Sequence, residues 1–470
     1  MLKKNSASLL KTFVFAGSVA LAFALPKSAS ADNLSDALIG AYKSSGLLEQ
    51  NRALLRVQDE NVALAVAGLR PIINWVTTAT ASNGGSARGS AGNTSTSLTS
   101  GVELSLLLFD GGATRKRQLS AQQAVLATRQ SLLNFEQDVL FGAVQAYVNV
   151  LLQQDTVRLQ SNNLRLLQEE LKASQDRFEV GEVTRTDVAL AQSRLASARA
   201  NLIESRGNLL EAKASYVQAV GSPIGVVAGQ PPLPKRAASL QAAAAIAARN
   251  HPSLLAQQHS VKSAEHLVEA ARKGLGPQVN LSAGVTGTLG GINSKDFHSS
   301  NASVRLTQPI YSGGSLASAL RTSIANVDAA KGVLLSTQRA VTQSVAAAYV
   351  THEAASASLV SSNESVRAAQ VAFDGIREEA TLGARTTLDV LQAEQDLLDA
   401  LTARVQSRAN QATAAYSLLQ AQGLLTAEHL GLAVEIYDPT LYYNLVKDAP
   451  AQVSRQSRDL DRVLRALGKN

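Results

Sequence analysis

The sequence of 470 residues has no cysteine, one tryptophan and one methionine, and aromatic residues make up only 4% of it. Without cysteine there can be no disulfide, thiolate metal site, Cys nucleophile or lipid-carrying N-terminal Cys. With 11 prolines, collagen-like and Pro-rich architectures are excluded too. So few aromatics mean that any large core is built from Ala, Leu and Val. No Gly-x-Ser-x-Gly elbow occurs, and no Gly-Lys-Ser/Thr follows a Gly run, so the hydrolase nucleophile and the phosphate cradle are both missing. His259 and His266 are seven residues apart beside Glu265; a metal site wants closer spacing and a third ligand, so a solvated helix face is expected there. His251 precedes Pro252 and reads as a helix boundary. The expectation is a protein that is not an enzyme and carries neither cofactor nor metal.

The formal net charge is +7, which suggests nucleic acid or anionic lipid. Its distribution removes that reading. Lys3, Lys4 and Lys11 precede an apolar stretch from Thr12 to Leu25, and Ala29-Ser30-Ala31 is a small-x-small cleavage site before Asp32. This is the pattern of a bacterial secretory signal peptide; the apolar part falls short of the roughly 20 residues of a membrane span. Residues 1–31 hold four Lys and no acid, leaving 40 basic against 37 acidic residues, a net +3, beyond Ala31. No nucleic-acid partner is expected from so small a charge. No apolar run of membrane-helix length remains downstream.

The chain is duplicated. Leu108-Phe109-Asp110-Gly111-Gly112 recurs as Ile310-Tyr311-Ser312-Gly313-Gly314, Ala146-Tyr147-Val148 as Ala348-Tyr349-Val350, and Gly181 with Asp187-Val188 as Gly383 with Asp389-Val390, each at an offset of 202 residues. Ser205-Arg206 and Gly221 return at the same offset as Ser407-Arg408 and Gly423. Upstream, Gly68-Leu69-Arg70-Pro71 pairs with Gly274-Leu275-Gly276-Pro277 at an offset of 206, so the length difference falls between Pro71 and Phe109. A register kept over so long a span identifies two copies of one unit.

Each unit has the same order of elements. A helix-like stretch, about 34–68 and then 239–273, stops at the Gly-Leu-x-Pro boundary. Two alternating stretches follow around a polar loop. Ile73, Trp75, Thr77, Ala79 and Ala81 precede Val102, Leu104, Leu106 and Leu108; in the second unit Val279, Leu281, Ala283 and Val285 precede Ala302, Val304 and Leu306. Period two predicts strands with one apolar face. After each Gly-Gly pair, Ala113–Phe178 and Ser315–Ala380 contain no Pro, and each predicts a helix of about 100 Å. A Gly-containing turn and a returning helix follow. Val188, Ala191, Leu195, Ala198, Leu202, Ser205, Leu209, Ala212 and Tyr216 form a 3-4 seam, answered by Leu164, Leu167, Leu171, Ser174 and Phe178. Four strands cannot close a membrane barrel, which begins at about eight, so spanning strands would have to be shared among chains. A small soluble β-layer packed on the helices is the alternative, and alternation alone leaves both open.

The duplicated β-hairpin with a long helical hairpin, the two Gly-Gly junctions and the Gly-x5-Asp turns together resemble the TolC family of outer-membrane channel proteins, from about residue 34 to about 436. The resemblance implies a mainly α fold with a small β part. Each of three protomers would give four transmembrane strands to one twelve-stranded barrel, and long antiparallel helical hairpins would form a periplasmic tunnel. It implies a signal peptide (1–31), a first repeat (32–221, β-hairpin 71–109, helical hairpin 113–221) and a linker (222–238). A second repeat (239–423, β-hairpin 277–311, helical hairpin 315–423) and a C-terminal periplasmic tail (424–470) complete it. In the family the two tip turns form a gate. Thr186 and Asp187 on the first turn, and Arg385 on the second, match the latch that holds the tunnel shut; the family's Tyr is replaced by Ala380. Asp389 matches the first acidic ring of the constriction, while Gln392 replaces the second. Gly181 and Gly383 lie in the turns that would dock an adaptor. The implied role is a passive export duct of a tripartite efflux or type I secretion system. It would be a homotrimer in outer-membrane lipid, opened by a periplasmic adaptor and an inner-membrane transporter, and the cargo is left undefined. Arg115, Lys116 and Arg117 would sit where barrel meets tunnel. The competing class is a periplasmic adaptor or structural coiled-coil protein; two full repeats, each with a strand pair, argue against it.

Overall fold

A computed structural model describes residues 33–84, 93–225, 227, 229–290, 297–450 and 454–466. The expected signal peptide lies outside the described residues. The first repeat runs α1 (Leu34–Ser44), α2 (Gly46–Ala67), β1 (Ile72–Gly84), β2 (Asn93–Phe109), α3 (Ala113–Glu179) and α4 (Arg185–Val220). The second runs α5 (Leu240–Asn250), α6 (Pro252–Lys273), β3 (Gln278–Gly290), β4 (Phe297–Thr307), α7 (Ser315–Thr381) and α8 (Thr387–Ala421); α9 (Thr440–Val446) and α10 (Arg455–Ala466) follow.

The helix expected over 34–68 is in fact two. Ser45 has extended backbone, and its hydroxyl caps α2 by accepting from Leu48 N at 3.2 Å. Ser favours a cap and the adjoining Gly46 is a weak helix former, so the chain breaks there. In the second repeat His251 takes the same place; its Nδ1 accepts from Ser253 N at 3.3 Å, and Pro252 opens α6.

The four strands form one antiparallel sheet in the order β1-β2-β3-β4. Register fixes its faces, because paired residues share a side. The rows Ile73–Leu104–Ala283–Ala302 and Trp75–Val102–Val285–Ser300 lie on one face, and Asn74–Glu103–Gly284–Asn301 on the other. Among the described residues no helix packs along the sheet; the helices contact one another, and the strands contact strands. Trp75 is 78% exposed and Leu306 67%. A soluble β-layer packed on helices would have covered these side chains. The sheet therefore presents a bare apolar face on one side and a Ser/Thr/Asn/Gly face on the other.

The Gly-Gly junctions turn the chain from sheet to helix. Gly111, Gly112, Gly313 and Gly314 all have φ between +62° and +85°, a conformation that glycine adopts without the Cβ penalty. The Asp110 carboxylate braces the first junction, accepting from Gly112 N at 2.9 Å and Thr114 N at 2.6 Å. Beyond them α3 and α7 are each 67 residues long, about 100 Å. Helices α4 and α8 run back along them. Ala191, Leu195, Ala198, Leu202, Ser205, Ala212 and Tyr216 are buried on α4, so the expected seam is the packed face. Phe178 departs from it: it is 46% exposed, one residue before the end of α3.

The largest core cluster lies partway along the helices, where α1 packs on α3. It contains Leu38, Leu48, Leu55, Leu140, Val144, Tyr147, Tyr216 and Tyr416. Two tyrosines, one from each repeat, hold the linker between the repeats: Tyr147 donates to the Gly229 carbonyl at 3.0 Å and Tyr416 to that of Pro232 at 2.8 Å. The tail runs back along α2, where Tyr442 donates to Glu60 at 2.7 Å and Arg70 to the Ala449 carbonyl. Leu140 is fully buried in this cluster, so Leu140→Ala should cost about 2–5 kcal/mol, measured as a lowered guanidinium midpoint of the detergent-purified protein.

Candidate functional site

Both tip turns stop one helix and start the next by the same device. Glu182 N bonds the Arg177 carbonyl at 2.9 Å and Gly181 N that of Phe178 at 3.0 Å. In the second turn Ala384 N bonds the Glu379 carbonyl at 2.9 Å and Gly383 N that of Ala380 at 3.2 Å. Gly181 (φ 84) and Gly383 (φ 77) occupy the left-handed position of each stop, which satisfies the last carbonyls of the helix. Three residues on, Thr184 and Thr386 cap α4 and α8, and Asp187 and Asp389 complete a reciprocal capping box. The Asp187 carboxylate accepts from Thr184 N at 2.9 Å and Thr184 Oγ1 at 2.7 Å. Asp389 does the same with Thr386, at 3.0 and 2.8 Å.

These bonds hold both carboxyls below the usual range, Asp187 through the Thr184 hydroxyl and amide and Asp389 through the Thr386 amide and hydroxyl. Each aspartate is therefore ionised at neutral pH and sits where the helix N-terminus favours negative charge. The Thr-x-x-Asp spacing that makes the box is visible in the sequence in both repeats.

The structure does not bring Arg385 onto Asp187. Arg385 Nε bonds Glu379 Oε2 at 2.7 Å, with both side chains about half exposed. This ion pair belongs to the second turn alone, since Val183 and Arg177 stand at the equivalent places in the first. Thr186 is exposed one residue before Asp187. Arg385, Asp389, Gln392 and Asp396 line one open groove of about 510 Å³ between α7 and α8. Gln392 Nε2 donates to Asp396 Oδ1 at 2.9 Å. The acid absent at 392 thus has a neighbour one turn further along the same face, and the 3-4 spacing from Asp389 could have pointed to it.

Glu394 is a second acid that the sequence did not single out. It is 5% exposed on α8, and its Oε1 is buried without a hydrogen-bond partner. Burial, and then the Glu170 charge, push its pKa up to about 7 against the opposing pull of Arg377 and Arg194. Elsewhere, His259 does not lie on a solvated face as expected; its Nδ1 meets Gln123 Oε1 at 2.9 Å across α6 and α3. Among the described residues no group of His, Asp and Glu is arranged to hold a metal ion, and no helix is long and apolar enough to cross a membrane.

The model of the outer membrane efflux protein family matches residues 41–222 and 244–424. The chain belongs to the outer membrane efflux protein family. The two matched segments fall on the two repeats. Outer membrane efflux protein BepC of Brucella suis biovar 1 (strain 1330) is 36% identical over 435 residues, which is 90% of this chain and 92% of that protein. Among solved structures, CusC superposes with a TM-score of 0.74 at 18% identity, covering 83% of this chain and 92% of that one. The Campylobacter jejuni CmeC outer membrane channel superposes at 0.71 with 15% identity, covering 91% and 88%. At these identities the likeness is one of fold.

A carboxyl whose pKa is raised on folding favours the folded state only while protonated, so the contribution of Glu394 is lost as pH climbs from about 4.5 to about 7. Moving from pH 5 to pH 8 should lower stability by up to about 3 kcal/mol through this residue. In Glu394→Gln that share of the pH dependence should vanish, which melting curves of the purified protein at the two pH values would read.

Proposed function

We propose that the chain is the outer-membrane duct of a tripartite efflux or type I secretion system, a passive conduit whose periplasmic tip is opened by an adaptor and an inner-membrane transporter. One observation carries this reading: in a member of an outer membrane efflux family, the sheet stands clear of the helices with one bare apolar face, one polar face and two unpaired edges. Only helices and closed barrels satisfy their backbone in lipid. Three copies supply enough strands to close a barrel, with the apolar face toward lipid and the polar face lining the lumen. The helical hairpins, about 100 Å long, then extend the duct across the periplasm. No step of this function calls for catalysis, a cofactor or a bound metal.

The gate reading rests on the tip turns. Asp389 and Asp396, on the Arg385 face of α8, would each be repeated by the symmetry of the trimer as acidic rings about 10 Å apart along the helix. Arg385, held by Glu379, lies beside them and partly neutralises the constriction. Asp187 and Thr184 keep the first turn in shape through its capping box, so the part of Asp187 in closure is to position the turn, with Thr186 exposed beside it. An ion pair as exposed as Glu379–Arg385 is screened by water and weak, which suits a contact that a docking protein has to release. Val180 (71% exposed) and Leu382 (78%) project beside Gly181 and Gly383; such exposed apolar side chains at a turn favour a protein partner there.

In planar bilayers, Arg385→Ser should raise the resting conductance of the purified protein, and Asp389→Ala should weaken its block by multivalent cations. Unchanged conductance would remove Arg385 from the latch, and unchanged block would remove Asp389 from the constriction.

A further inference from the structure

The four described strands carry almost no charge. Apart from His298, their only ionisable side chains are Glu103 on β2 and Arg305 on β4. The register places both on the polar face. Glu103 is in the row Asn74–Glu103–Gly284–Asn301, and Arg305 pairs with Asn280, four residues nearer the helical end of the sheet. His298 is in the Ser100–Gly287 row of the opposite face. Glu103 and Arg305 are exposed in the protomer. Gly284 packs closely beside the acid: a Cβ there would meet Asn301 Oδ1 at 3.2 Å and the Val102 carbonyl at 3.3 Å, with Glu103 Cγ at 3.8 Å. The rest of that face is mainly Ser, Thr, Asn and Gly.

We infer that Glu103 and Arg305 together set the ion preference of the barrel lumen, by cancelling one another. This rests on the shared-barrel reading above. In the strand order β1-β2-β3-β4, repeated three times, β2 and β4 alternate around the circumference. Glu103 and Arg305 therefore alternate on every second strand, three acids against three bases. The two residues are about 14 Å apart along the strand direction and about 10 Å apart across two strands. Together these put the two charges about 17 Å apart, roughly twice the screening length of about 8–10 Å at physiological salt. Each charge is felt locally, while the collar as a whole has no net sign. The barrel then admits solutes of either charge, and electrostatic selection is left to the acidic residues at the tip.

The test compares reversal potentials in a KCl gradient for the trimeric protein and its Glu103→Gln, Arg305→Gln and doubly substituted forms. Arg305→Gln should shift selectivity toward cations, Glu103→Gln toward anions, and the double variant should return to the starting value. Conducting channels whose reversal potential is unmoved by either single change, or moved in the same direction by both, overturn the collar alone. Absence of any channel from the unsubstituted protein overturns the barrel reading and the collar with it. The lack of cysteine supplies a second measurement that needs no change of selectivity. In Glu103→Cys a membrane-impermeant cationic thiol reagent should react and reverse the sign at that position, whereas Val102→Cys, on the lipid side, should not react. Equal labelling of both positions, or labelling of Val102→Cys alone, overturns the inference.

Discussion

Everything in this protomer answers to two unpaired strand edges. A four-stranded sheet leaves β1 and β4 with open backbone groups, which water can satisfy and lipid cannot. The bare apolar face of the same sheet asks for lipid. A single chain cannot meet both demands with four strands. Sharing one barrel among copies would meet them, and would make the oligomer a condition of membrane insertion.

The duplication carries that constraint into the helical part. Each repeat sends one strand pair into the sheet and one helical hairpin away from it, and α3 and α7 have the same length. A trimer then offers six nearly equivalent hairpins, and the wall of a tunnel can be even although the chain is not symmetric. Small and medium side chains along the seams, such as Ala191, Ala198 and Ala212, allow close helix packing. This accounts for the scarcity of aromatics; Tyr147, Tyr216 and Tyr416 share the largest core cluster, where Tyr147 and Tyr416 also hold the linker between the repeats.

At the tips the repeats are alike in backbone and different in charge. The same helix stop and capping box shape both turns, so Asp187 and Asp389 are first of all caps. Only the second turn adds Glu379 and Arg385. Much of this was legible in the sequence: the period-two stretches, the Gly-Gly junctions and the Gly-x5-Asp turns are local patterns, and the repeat shows in one register kept over a long span; the Thr-x-x-Asp boxes are as local but were not read there. The break at Ser45 was not, because one serine in an otherwise helical stretch gives a weak signal. The Glu379–Arg385 pair and the groove shared by Asp389 and Asp396 depend on how two helices meet around a turn. The opposition of Glu103 and Arg305 depends on a register spanning strands 200 residues apart in the chain, which alternation within each strand does not fix.

The central claim is that the sheet closes only by being shared among three chains. The most direct measurement is the stoichiometry and strand count of the detergent-extracted, unheated protein, by native mass spectrometry together with electron cryo-microscopy. The account predicts a particle of three copies with one closed barrel to which each copy gives β1 to β4, and with β4 of one protomer paired to β1 of the next. A stable monomer with a covered sheet, or an assembly in which those edges stay unpaired, would contradict it.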